Sequence, residues 1–221
     1  GIIGASFAQT AYLPALRHVP GADVVAVASA RLASAQRAAS AYGVPHAYDD
    51  WRQMLATHAF DLVCIATPTV QHAPQTLAAI NAGKHVVTAN KALIAHHGNE
   101  IFEAARRAGV AGRFEAAVAG GIPIIKTIRE GLAGNRIEWL AGIINGTSNF
   151  ILTEMRDHGR SFGDVLAEAQ LLGYAETDPT FDVEGIDAAH KLTILASVAF
   201  GIPLQFSKVY TEGITRLTAD D

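Results

Sequence analysis

The sequence predicts an α/β protein: a doubly wound parallel sheet followed by a second, smaller α+β domain. Three observations predict it. Short apolar runs alternate with helix-patterned stretches at the spacing of βαβ units over residues 2–91. A turn, Gly4-Ala5-Ser6-Phe7-Ala8, follows the first of those runs, as in the opening unit of a dinucleotide-binding sheet. Further on, a strand-like run over residues 136–144 opens a separate block of helices around a polar turn and an acidic loop. The domains are accordingly placed at residues 1–120 and 121–221.

The chain has 221 residues, 50% hydrophobic and 17% charged, enough apolar material for the cores of one or two domains. A net charge of −4 supplies no basic field, which argues against nucleic acid as a partner. A single cysteine, Cys64, excludes an intrachain disulfide framework and suits a reducing compartment, so a cytoplasmic location is expected. There is no apolar run of 18 residues, so no membrane span is expected. The chain opens at Gly1, and GIIG reads as the tail of a strand, so a missing beginning is expected.

Ile2 and Ile3 end the first strand, and a helix pattern runs over residues 10–18. Gly4 takes the first glycine position of the dinucleotide fingerprint, Ser6 stands at the second, and Gln9 stands where a third small residue belongs. Residues 23–28 read as a buried strand, followed by Ser29, Ala30 and Arg31 and a helix from Leu32 to Tyr42. In such sheets the residue after this strand meets the adenosine ribose. An acid there selects NAD, and an arginine accommodates a 2′-phosphate. No acid stands here, so Ser29 and Arg31 point to NADP, with NAD as the alternative. Arg31 reads equally well as a solvated helix-start residue.

Residues 61–66 form another apolar strand, which ends at Thr67-Pro68-Thr69, the carboxyl end where ligands sit. Cys64 lies inside it and reads as a packed core thiol. A helix over residues 73–82 closes at Gly83, and a strand over residues 84–89 leads to Asn90 and Lys91. Residues 114–123, FEAAVAGGIP, start like a strand and run into glycines. Pro123 suits the first turn of a helix over residues 124–131. The bare backbone carbonyls of this segment need partners, within a structural turn or around a hard cation. A polar turn over residues 145–149 precedes a helix ending near His158, and a helix over residues 162–172 closes at Gly173. The nine histidines show no ligand spacing. His96 and His97 are placed before a helix and His190 after the helix start at Asp187, with solvated or capping roles expected rather than metal binding.

Residues 173–200, GYAETDPTFDVEGIDAAHKLTILASVAF, carry Glu176, Asp178, Asp182, Glu184 and Asp187 on a loop that runs into a helix from about Ile186. Pro179, Thr180 and Phe181 interrupt the pattern, which places the acids on the loop. Asp187 and Lys191 stand one helical turn apart, on the same side. One reading is an acid-capped helix with an ordinary ion pair. The other is a polar pocket for a small amino acid, with a lysine set for proton transfer.

The segments GIIGASF, TAYLPALR, YDDW, DLVCIATPT and INAGKHV resemble the nucleotide domain of the glucose-fructose oxidoreductase type of sugar dehydrogenase, over residues 1 to about 85. From about residue 83 to 221 the chain resembles homoserine dehydrogenase. That likeness rests on GKHVVTANKALIA, FEAAVAGGIPIIKTIREGLAGNRI, GIINGTSNFILTEM, LAEAQLLGYAETDPTFDVEGIDAAHKLTILASVAFG and VYTEGITRLT. The sugar enzymes would continue with a Glu-Lys-Pro motif, where this chain has Thr88-Ala89-Asn90-Lys91-Ala92.

The second resemblance implies a Rossmann sheet with a substrate-binding and dimerisation domain. The implied enzyme interconverts L-homoserine and L-aspartate 4-semialdehyde with NADP or NAD, in threonine and methionine biosynthesis, as a homodimer. It implies Lys191 as the proton-transfer group, with Asp187 orienting it and touching the substrate hydroxyl. Lys91 is implied beside the reacting carbonyl and the nicotinamide. Glu176 and Asp182 would hold the substrate ammonium. Gly173 and Glu176 would meet the cofactor, together with Gly4, Ser6, Ser29, Arg31 and Thr67. A sodium ion is implied on oxygens of Glu115, Val118, Gly120 and Ile122, most of them main-chain. A sugar or polyol dehydrogenase and an inactive fragment stand as rival functions. The chain is expected to be incomplete at its C-terminus, because the family continues past the point where this sequence stops.

Overall fold

The computed structural model describes residues 1–218. They form two compact units, Gly1–Val87 with Glu100–Arg113, and Thr88–Asn99 with the chain from Phe114 on.

The first unit is built on four parallel strands in the order β3-β2-β1-β4. These are β1 (Ile2–Ile3), β2 (Ala26–Ala28), β3 (His46–Tyr48) and β4 (Cys64–Ile65). Ile2 pairs with Val27 and Cys64, and Ile3 with Ala28 and Ile65. Alternation along the strands sends their side chains to opposite faces. Ile2 and Val27 pack with Ala5, Ala8, Leu13, Ala35 and Ala38, whereas Ile3, Ala26 and Ala28 pack with Met54 and Phe60. Both faces are therefore covered, which is why these strands read as continuous apolar runs. Fully burying an isoleucine side chain is worth about 1.5–3 kcal/mol, and Ile2 and Ile3 are each buried to the last few per cent.

Helix α1 (Ala5–Phe7) leads through a π turn (Ala8–Tyr12) into α2 (Leu13–Leu16). The irregularity sits just ahead of Pro14, which lacks the N–H that a regular ladder would use. Helix α3 (Leu32–Tyr42) has the bounds its pattern predicts and ends on left-handed Gly43. Helix α4 (Trp51–Thr57) is capped by the Asp50 carboxylate, which accepts from Arg52 N at 2.8 Å. Helix α5 (His72–Asn81) follows β4, and β5 (Val86–Val87) pairs in parallel with β6 (Gly112–Arg113).

Helix α6 (Lys91–Ala108) corrects one expectation. His96 and His97 lie inside it rather than before it. Asn90 explains the early start: its side-chain oxygen accepts from Leu93 N at 3.0 Å and caps the first turn. The stretch Lys91–Asn99 belongs to the second unit.

In the second unit, a 3₁₀ turn (Glu115–Ala117) precedes α7 (Ile124–Lys126) and a π turn (Thr127–Gly131). Helices α8 (Gly146–His158), α9 (Phe162–Leu171), α10 (Thr180–Val183) and α11 (Ile186–Phe200) follow. Ile151, Met155, Val165 and Val183 form their shared core. Residues 136–144 are not a strand, nor are residues 208–213, and among the described residues neither has a ladder partner to hold it extended. The acids of residues 176–187 are not all on a loop. Asp178 accepts from the Thr180 hydroxyl at 2.6 Å and from its N–H at 3.2 Å, which starts α10 and puts Asp182 on a helical turn.

Candidate active site

The site in the second unit is organised by the first turn of α8. Asn145 is its N-cap, and its side-chain oxygen accepts from Ser148 N at 2.7 Å. The helix therefore starts at Gly146, inside what reads as a polar turn in the sequence. The same side chain has an amide left to donate, and it gives both hydrogens to acids: Asp182 Oδ1 at 2.7 Å and Asp187 Oδ2 at 2.9 Å. Two further bonds from this turn fix the neighbouring segments. Thr147 donates to the Tyr174 carbonyl at 2.7 Å, and Ser148 donates to the Asp182 carbonyl at 3.0 Å. One helix end thus sets the positions of the Gly173 turn, α10 and the start of α11.

Asp187 lies in the first turn of α11, 6% exposed. Lys191, one turn on, donates to Asp187 Oδ2 at 2.6 Å and to the Ile144 carbonyl at 2.6 Å. Lys91, the first residue of α6, reaches the other oxygen, Oδ1, at 3.0 Å. Burial works to raise the Asp187 pKa. The hydrogen bonds from Lys191, Asn145 and Lys91 outweigh it and hold the carboxyl below its usual range. A buried carboxylate needs such partners, since an unpaired one would be neutralised instead.

Lys91, Asp187, Lys191, Glu176, Asp182 and Gly173 all line one cavity of about 800 Å³, with Asn145, Thr147, Phe150, Tyr174 and Phe181. Five residues of the acidic stretch and Lys91, all picked out from the sequence, therefore share one wall system. Glu176 is exposed, and Gly173 adopts φ 76. The sequence reading missed Asn145 as the link between the two acids and the Ile144 carbonyl as the second acceptor for Lys191. The N-cap preference for asparagine before a helix was the available signal for the first.

In the first unit, Gly4, Ser6, Ser29 and Thr67 line a cavity of about 480 Å³ with Ala30, Asp49, Trp51 and Pro68. It lies at the carboxyl ends of β1, β2 and β4, where the strand order reverses. Gly4 has φ 110, and a Cβ there would meet the Ala66 carbonyl oxygen at 2.4 Å. Only a residue without a side chain allows the turn into α1 to pass so close to β4. Thr67 donates to Gln75, which is 1% exposed, at 2.6 Å. Arg31 is exposed at the N-cap of α3 and is not part of this wall. Cys64 is half-buried in β4, and burial pushes its thiol pKa up, which makes it a poor nucleophile.

The Glu115 carboxylate caps α7, accepting from Ile125 N at 2.9 Å and Lys126 N at 3.0 Å. Its carbonyl meets Val118 N at 3.4 Å, and the Ile122 carbonyl accepts from Ile124 N at 2.8 Å. Val118 is buried, whereas Gly120 and Ile122 are exposed. Ala119 between them has φ 48, a strained value for a residue with a side chain. Among the described residues no group of three His, Cys, Asp or Glu side chains could hold a metal ion, and no helix is long and apolar enough to cross a membrane.

The family model of homoserine dehydrogenase matches residues 123–221, and that of an oxidoreductase family with an NAD-binding Rossmann fold matches residues 1–112. A homoserine dehydrogenase of Pseudomonas aeruginosa is 79% identical over 145 residues, covering 66% of this chain and 33% of that protein. The chain thus spans about a third of the length of the curated relatives it matches. A candidate homoserine dehydrogenase of Archaeoglobus fulgidus superposes with a TM-score of 0.76 at 32% identity, over 99% of this chain and 73% of that one. A hyperthermophilic archaeal homoserine dehydrogenase in complex with NADPH superposes with a TM-score of 0.72 at 25% identity, over 99% and 74% of the two chains. With a dinucleotide-binding sheet in front and the Lys91–Asp187–Lys191 cluster behind it in sequence, the chain belongs to the homoserine dehydrogenase family.

Proposed function

We propose that the protein interconverts L-homoserine and L-aspartate 4-semialdehyde with NADP. The observation that carries this is the Asp187 carboxylate held between Lys91 and Lys191 in a cavity that also offers Glu176 and Asp182. A nicotinamide cofactor, when bound, exchanges a hydride with the substrate carbon. In the reducing direction Lys191 gives a proton to the oxygen that becomes the homoserine hydroxyl. In the oxidising direction it takes that proton back. Asp187 orients Lys191 and touches the hydroxyl, and Lys91 adds positive charge where the alkoxide develops. Glu176 and Asp182 hold the substrate ammonium through charge-assisted bonds.

The residues of the first unit fit the dinucleotide. Gly4 permits the close turn at the carboxyl ends of β1 and β4, and Ser6, Ser29 and Thr67 supply polar groups to that cavity. Ser29 and Arg31 favour NADP, since no acid follows β2. The neighbour with bound NADPH supports the same choice. Gly173, Glu176 and Lys91 complete the cofactor contacts in this reading. Residues 1–120 serve as the dinucleotide domain and 121–221 as the substrate and dimerisation domain. Oxygens of Glu115, Val118, Gly120 and Ile122 would hold a sodium ion. The protein works in the cytoplasm as a homodimer. Trp139, Ile143 and Tyr210 support the pairing, each at least 75% exposed, and Tyr210 lines an apolar groove with Leu140, Ile144 and Leu192.

The test is NADP-dependent oxidation of homoserine by the purified full-length protein. Oxidation of a sugar or polyol in place of homoserine would overturn the reading in favour of the sugar dehydrogenase class that the first unit resembles.

A further inference from the structure

The site has two lysines on two helices, and something must hold those helices in step. Lys91 opens α6, and Lys191 lies on α11. The ion pair at Asp187 is one tie between them, and two further ties follow along α6, one to α11 and one to the segment just after it. His96 Nε2 lies 3.2 Å from His190 Nε2. Asn99 then makes a two-way bond with Leu204, its amide donating to the carbonyl at 2.9 Å and its oxygen accepting from Leu204 N at 3.0 Å. All of these residues belong to the second unit.

His190 is an unusual choice for such a tie. It is 2% exposed, next in sequence to Lys191, and its Nδ1 has no hydrogen-bond partner among the described residues. A buried imidazole with an orphaned nitrogen costs stability relative to an apolar side chain of similar volume. Phe206 packs on both rings, with centroids 4.6 Å from His96 and 4.5 Å from His190, and Phe181 of α10 lies 6.1 Å from His190. Packing alone would be served better by a phenylalanine. The polar contact to His96 is what the imidazole adds. Burial lowers the His190 pKa, and the neighbouring His96 and Lys91 push it further down against the pull of Asp187. The ring is therefore neutral near pH 7, so one Nε2 donates and the other accepts.

We propose that His190, bonded to His96, is a positioning residue that keeps α6 docked on α11 so that Lys91 and Lys191 flank the same Asp187 carboxylate. The proposal rests on the reading of this cluster as the dehydrogenase site. A misplacement of about 1 Å at a reacting group can cost on the order of a hundredfold in rate, so a short polar tie behind the lysines has a large lever.

The experiment compares His190→Phe with His190→Gln in the full-length protein. Phenylalanine keeps the packing on Phe206 and loses the polar bond, whereas glutamine can still donate or accept near the Nε2 position. His190→Phe is expected to lower kcat for NADPH-dependent reduction of aspartate 4-semialdehyde by about tenfold or more, with little change in the KM for NADPH. His190→Gln should recover most of it. Equal kcat in all three proteins overturns the proposal. So does a glutamine variant as impaired as the phenylalanine one, which would leave a packing role only. A second readout does not need turnover: lysine-selective ¹⁵N spectra of the three proteins, with the Lys91 signal assigned through Lys91→Met. The Lys91 ammonium signal bonded to Asp187 should survive in His190→Gln and be lost in His190→Phe. If the unaltered protein reduces no aspartate 4-semialdehyde, the functional reading fails, and these spectra still decide whether His190 positions Lys91. A signal unchanged in His190→Phe rejects it.

Discussion

Lys91 and Lys191 grip opposite oxygens of a single carboxylate, at 3.0 and 2.6 Å from Asp187. One anion faces two cations and holds both ammonium groups in fixed positions. Asn145 keeps the anion in place from a third side. Such an arrangement suits a reaction that develops negative charge on oxygen, because the stabilising groups are already oriented before it appears. An ordinary surface ion pair would be solvated and worth little. Here the Asp187 side chain is only 8% exposed.

Lys191→Met is expected to lower turnover by about 10²–10⁴-fold, the usual contribution of an acid–base group. NADPH binding should persist, because the first-unit cavity at Gly4 is formed by other residues. Steady-state kinetics with a fluorescence titration of NADPH checks both halves. Near-normal turnover would return Lys191 to the role of an ion-pair partner. Glu176→Ala should act mainly on the KM for homoserine.

Asp187 also gives a pH signature. Its folded-state pKa is depressed, so its contribution to stability is fully present above the unfolded value of about 3.9. That contribution is lost as pH falls below this value and through the folded one. Urea unfolding should therefore show Asp187→Asn less stable than the parent at pH 7, with the gap closing below about pH 4. A gap that stayed constant to pH 3 would remove the ionised carboxylate from the account.

Gly4→Ala should damage the first unit whatever the substrate is. The added Cβ would sit 2.4 Å from a backbone oxygen at a φ of 110. Strain of this kind costs about 1–3 kcal/mol before any clash is counted. The measurement is the melting temperature together with NADP affinity, and both should fall.

Arg31→Ala tests the cofactor choice. If the guanidinium meets a 2′-phosphate, the substitution weakens NADP more than NAD. Equal losses for the two would leave Arg31 as the exposed helix-start residue that its position at the head of α3 also allows.

The glycine loop before α7 should respond to monovalent cations. Sodium binding to carbonyls of residues 115–122 would raise the melting temperature by mass action. Choline chloride at the same ionic strength serves as the control. An identical melting temperature in the two salts speaks against the site.

The sequence by itself determined the parallel sheet, because strands buried on both faces leave continuous apolar runs that need no partner information to read. The same holds for α3 and α11, whose periodic faces and flanking glycines set both ends. It also drew attention to the stretch that holds Lys191, Asp187, Glu176 and Asp182, because five acids and a lysine crowd into it, while their separate roles came from the family resemblance. Lys91, far off in the sequence, came from family resemblance, and only the tertiary structure shows it on the same carboxylate.

The tertiary structure decided what depends on partners distant in the chain. Residues 136–144 have the composition of a strand, but a strand exists only where another segment completes its hydrogen bonds. His96 and His190 look like solvated residues until α6 and α11 bring them within 3.2 Å. Asn145 reads as a turn residue, and its hold on Asp182 and Asp187 appears only when α10 and α11 fold back onto the first turn of α8. Local propensity can choose a cap, but which acids that cap then joins is set by packing.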